Sequence, residues 1–207
     1  MTNQALESIV PITEEAEVKR LCSITNEVVD PPGNFNLEWL SRNCWAAVPI
    51  EGAMHFNQQD AHQLSQAMRT AGFEECLALA TEPLENFPLC YRVSTSAHGL
   101  LDFSRVCGAL FFVLMPETRS FGVLCTPDDY YIVAGPHSFV RIALGSAIEE
   151  ARKSFVDFGG NEGWPDATRK HFLSVASIYE PFNGSLSECS GATGETECVN
   201  GSERPTD

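Results

Sequence analysis

Positive charge is scarce in this chain. Its 207 residues hold 13 lysines and arginines against 28 aspartates and glutamates, a net charge of −15 at pH 7, and residues 1–50, 51–158 and 159–207 are each net acidic. Neutralising phosphates takes clustered Lys and Arg, so no nucleic acid and no anionic membrane is expected as a partner, whereas a basic protein suits the balance. Long apolar runs are missing as well, and nothing approaches the roughly 18 residues that a bilayer-crossing helix needs. Residues 1–18 carry glutamates at 7, 14, 15 and 17 and no basic stretch leading into an apolar core. A secretory signal is therefore not expected, and a cytoplasmic address is.

Signatures of chemistry are absent too. There is no Gly-x-x-x-x-Gly-Lys-Ser/Thr loop, no Gly-x-Gly-x-x-Gly turn and no Gly-x-Ser-x-Gly elbow, which removes the common phosphate-cradling and hydrolase patterns. Neither Cys-x-x-Cys nor His-Glu-x-x-His occurs, so no metal and no cofactor is expected. Cysteine itself is plentiful, at eight. Cys90, Cys107 and Cys125 lie in apolar, strand-like runs, while Cys22, Cys44 and Cys76 are scattered, so reduced structural thiols are the expectation for these six. Cys189 and Cys198 sit in a polar stretch where exposed thiols can pair.

What is present is clearest between Phe121 and Phe158. Phe121, Val123 and Cys125 alternate with Gly122, Leu124 and Thr126, and Tyr130, Ile132 and Ala134 alternate with Tyr131 and Val133. Both runs are rich in aromatic and β-branched residues, and Pro127-Asp128-Asp129 between them suits a tight turn, which predicts a hairpin. Gly135-Pro136 ends the second strand, a short helix runs to Leu144, and Gly145 closes it. Ser146 and Glu149 are spaced as a capping box for a helix to Phe158 that turns Ile148, Ala151, Phe155 and Phe158 inward.

Elsewhere the sequence predicts a helix from Thr13, as cap, to Cys22, broken by Asp30-Pro31-Pro32-Gly33. A second helix is read in Phe35–Val48, with Trp39, Leu40 and Cys44 at helical spacing and Pro49 as terminator. A third is capped by Asp60 and closed by Gly72. Strands are read at Cys76–Thr81, Leu89–Thr95 and Ala109–Met115, and a last helix at Trp164–Tyr179. Leu100–Phe103 fits either state. The expected fold class is α+β, a mostly antiparallel sheet of about five strands with helices packed on it. Its divisions are a polar segment over 1–33 with one helix, a single domain over 34–182, and a flexible, disordered acidic tail over 183–207.

Candidate functional residues fall into three groups. His55, Asp60 and His62 are the best local set for a metal, yet a helix capped by Asp60 would send Asp60 and His62 to different sides. His98 with Cys107, and His137 with Cys125, are the pairs from which a thiol nucleophile would be built. Asp128, Asp129, Tyr130 and Tyr131 place carboxylates beside amphipathic rings at a hairpin tip, a combination that docks a cationic protein. The leading functional expectation is a small acidic cytoplasmic protein-binding module, such as an inhibitor or immunity protein or a chaperone for a basic partner. The alternative is a small hydrolase or transferase with a non-local Cys/His site.

Overall fold

Phe112 and Leu114 pack into one hydrophobic core, and Val113 and Met115 into another on the opposite side of the same sheet. This is the period-2 pattern of an extended chain buried on both faces, and it explains why the run reads as continuously apolar. The computed structural model describes residues 8–183 apart from 31–32, 53–54, 83–84, 86 and 109. The chain begins with β1 (Ile9–Pro11), α1 (Glu15–Val28), β2 (Val29–Asp30), β3 (Asn34–Phe35), α2 (Leu37–Arg42) and β4 (Ala46–Glu51). It continues with α3 (Gln58–Thr70), β5 (Glu75–Ala80), β6 (Cys90–Ser94), α4 (Ala97–Cys107), β7 (Phe112–Met115) and β8 (Gly122–Cys125). The last elements are β9 (Tyr130–Gly135), α5 (His137–Leu144), α6 (Ile148–Gly159) and α7 (Asp166–Tyr179).

The expected α+β class holds. Seven strands, rather than about five, form one sheet in the order β1-β6-β5-β7-β8-β9-β4, and every pairing in it is antiparallel. The additional strands are the two edges, β1 and β4. Helices α3, α4 and α5 cover one face with Leu64, Phe103 and Phe139, while α1, α2, α6 and α7 cover the other with Leu21, Leu40, Phe155 and Phe172. The three strands read between Ala109 and Ala134 appear as β7, β8 and β9, and α6 packs through Ile148 and Phe155, each at most 2% exposed, with Ala151 beside them. Because Ile148 joins one core and Phe155 the other, α6 wraps past the β4 edge.

Both edges carry a proline where it blocks pairing. Ala47 turns its N–H away from the sheet to Phe182 O at 3.0 Å, so Pro49, two residues on, also faces outward and has no N–H to offer. On β1, Ser8 O and Ile12 N bond to β6, which leaves Pro11 facing outward in the same way.

Several local expectations are corrected. The helix read over Phe35–Val48 is the short α2, capped by the Asn36 side chain on Trp39 N. Cys44 then takes a left-handed φ of 53°, and the chain leaves as strand β4, with Pro49 inside the strand instead of ending a helix. Helix α3 is capped by Asn57, and Asp60, in the first turn, is the reciprocal partner of that capping box. Ser146 caps nothing: α6 starts at Ile148, after an Ala147 with no side-chain cap. Glu14, not Thr13, precedes α1, which extends to Val28. Leu100–Phe103 belongs to α4, capped by Ser96, and Cys107 ends that helix instead of sitting in a strand. Cys44 departs from the reduced-thiol expectation, being exposed and disulfide-bonded, while Cys22, Cys76, Cys90, Cys107 and Cys125 are free. Apart from Asn183, the tail read over 183–207, with Cys189 and Cys198, lies outside the described residues.

Candidate functional site

The sequence-derived candidates are dispersed. At the β8–β9 turn, Thr126 Oγ1 donates to Tyr130 O at 2.6 Å and Gly52 N to Asp129 O at 3.1 Å, which holds Asp128 and Asp129 out in solvent. Their neighbours Tyr130 and Tyr131 are each 4% exposed and face opposite sides of the sheet. Tyr130 packs edge-on against Phe155 and Phe172, and its hydroxyl lies 3.3 Å from His171 Nε2, which in turn stands 3.7 Å from Asp128 Oδ2. Burial pushes the Tyr130 hydroxyl up to about 12, with Asp128 adding to the effect. Tyr131 packs against Phe56 and bonds Asp60, whose own carboxyl is raised by burial. The tip therefore presents carboxylates with the rings buried beneath them.

The histidine–thiol pairs are not brought together. His98 stands exposed in the first turn of α4, with Nε2 3.2 Å from Asp102 Oδ2, and Cys107 is the helix's last residue. At 1.5 Å per residue that separation is about 13 Å. Cys125 pairs with Tyr131 at one end of the β8–β9 ladder, while His137 follows Gly135 at the other. Burial raises the Cys107 thiol to about 12 and Cys125 still further. Thiols so raised stay protonated at neutral pH, the opposite of what nucleophilic attack requires. Of the metal candidates, His55 Nδ1 lies 2.7 Å from Ser104 O, Asp60 is held in the α3 cap, and His62 is exposed. Among the described residues no group of three or more His, Cys, Asp or Glu side chains is placed to hold a metal ion.

A groove that motif reasoning missed lies between α6, α7 and the β4 edge, with a volume of about 640 Å³. Val156 from α6 and Leu173 from α7 wall it while remaining 43% and 39% exposed, and Ala176 and Pro49 add apolar surface. Arg152 braces the same place from inside. Its Nη1 donates to Glu180 O at 2.7 Å and to Asn183 Oδ1; its Nη2 donates to Ala47 O, Tyr179 O and Phe182 O at 3.1, 2.9 and 2.6 Å. Burial lowers its pKa, an effect that Glu149 and Glu180 oppose through space. Lys153, the other cation at the groove, is bridged to Asp157 on its own helix. Glu149 and Glu180 form no salt bridge among the described residues, so the rim's cations are engaged and its carboxylates face solvent. One signal for the groove was in the sequence: Val156 falls outside the stripe Ile148, Ala151, Phe155 and Phe158, and Leu173 sits next to Phe172 and off the buried positions Phe172, Val175 and Tyr179 of α7, yet both are large and apolar. Comparison of the chain with protein-family models, curated proteins and solved structures finds no match.

Proposed function

We propose that this protein is a cytoplasmic binding module for another protein, with the α6–α7 groove as its contact face. The observation that carries this reading is the pair Val156 and Leu173, large apolar side chains left partly exposed along one open groove whose lining also holds Glu149, Glu180, Arg152 and Lys153. Contiguous exposed apolar surface rimmed by polar groups is characteristic of interaction sites, whereas scattered single apolar residues are ordinary. The net charge of −15 favours a basic partner, and Asp128 and Asp129 at the end of the sheet extend the field that would steer it. The free thiols support a cytoplasmic address, and the disulfide at Cys44 weighs the other way.

Site-specific photo-crosslinking in the native host tests the reading. A benzophenone side chain at Leu173 should trap a discrete partner, and the same group at Gln66, exposed on α3 across the sheet, should not. Equal yields at the two positions would remove the groove from consideration.

A further inference from the structure

We infer that the occupant of the α6–α7 groove is a cationic amphipathic helix presented by another protein, an inference that rests on the groove being the contact face. A strand is disfavoured by the edge beside it. The outward N–H and C=O of Ala47 are taken by Phe182 O and Arg152, and Pro49 has no N–H, so an added strand would find no ladder to extend along β4. A helix needs no such ladder. It delivers side chains from one face at i, i+3, i+4 and i+7 into an apolar trough, and Val156, Leu173 and Ala176 provide one between two helices.

Charge fixes the sign of the flanks. Arg152 is turned inward onto carbonyls and Lys153 is paired with Asp157. Glu149 and Glu180 act on Arg152 through space but make no salt bridge among the described residues, so direct pairing there is open to a cation, which the chain's net charge of −15 also favours. Lysine or arginine beside the apolar anchors would pair with them. The chain's own residues 184–207 have the wrong sign for this role: they carry Glu188, Glu195, Glu197, Glu203 and Asp207 against Arg204 alone. An anionic lipid surface would be repelled for the same reason, as would the rim of a second copy.

The test uses the full chain and two labelled helical peptides of about 18 residues, five turns. Both carry leucines at helical spacing, flanked by lysine in one and by glutamate in the other. In fluorescence anisotropy the lysine peptide should bind at least ten-fold more tightly, and the gap should narrow as salt is raised. Leu173→Glu should weaken the lysine peptide at least ten-fold with the circular dichroism spectrum unchanged, because Leu173 is partly exposed. Glu149→Lys combined with Glu180→Lys should bring the two peptides to similar affinity without loss of fold. Equal or preferred binding of the glutamate peptide, still abolished by Leu173→Glu, would overturn the cationic occupant and leave the groove as contact face. Binding of neither peptide, or binding indifferent to Leu173→Glu, would overturn both.

Discussion

Arg152 joins distant parts of the chain through one side chain: its guanidinium spans the carbonyls of Ala47, Tyr179, Glu180 and Phe182 and the Asn183 amide. Its planar fork suits this task, since donors leave it in several fixed directions at once, which an ammonium cannot reproduce. Its Nε is buried without a partner among the described residues, so the arrangement is already short of full satisfaction. Replacing Arg152 with methionine, which keeps the packing and removes every donor, should lower unfolding free energy by about 2 kcal/mol in urea melts. Arg152→Lys should recover less than half of that. An unaltered midpoint in the methionine variant would show that water serves these carbonyls equally well.

At the scale of elements, caps separate what local sequence implies from what the fold uses. Asn57 bonds Asp60 N at 2.9 Å and Asp60 returns the bond to Asn57 N, so Asn57→Ala should cost about 1 kcal/mol, visible as a fall in Tm of about 2–4 °C. Ser146→Ala, at the capping box that the sequence suggests and the structure does not form, should stay within about 0.5 kcal/mol. Equal effects would mean that the α6 entry is capped in solution. The hairpin of β8 and β9 was legible because its alternation and its turn residues agree, and so was the end of α5, where Gly145 takes a left-handed φ of 66°. Strand β4 was not legible. Trp39, Leu40 and Cys44 imitate a helical stripe, and Pro49 reads as a terminator until one knows that the strand lies at an edge where a missing N–H is harmless. The groove was hidden for a related reason, because it depends on how α6 and α7 lie against each other rather than on either pattern alone. The hairpin aspartates were placed correctly in solvent, but alternation sends Tyr130 and Tyr131 to opposite buried faces, and burial followed once helices covered both sides.

Across the whole molecule, helices on both faces leave the phenol groups little access to water. All four tyrosines, Tyr91, Tyr130, Tyr131 and Tyr179, are buried, and each hydroxyl is raised above its usual 10.0 chiefly by burial; Tyr91 and Tyr130 reach about 12. A raised folded pKa means that the unfolded chain loses its protons first. The associated stability is therefore fully present below pH 10 and is lost as pH rises from 10 towards 12. Ultraviolet titration of the native protein should show almost no phenolate at pH 10, then a cooperative rise that coincides with loss of the far-ultraviolet dichroism. Gradual ionisation centred near pH 10 with the fold intact would mean that the rings are more open than their packing indicates.

The closure of β4 by residues 179–183 also has a consequence for how the chain is made. Translation delivers Ala46–Glu51 long before its ladder partner Tyr130–Gly135, and the seal of Arg152, Phe182 and Asn183 later still. A nascent chain paused in between has paired strands but an open flank, a state in which unsatisfied strand edges invite wrong contacts. Ribosome-bound chains halted with Phe158 just outside the exit tunnel should be cut by protease near β4, and protection should arrive once Asn183 has emerged. Protection already complete at the earlier length would show that the flank closes without its last residues.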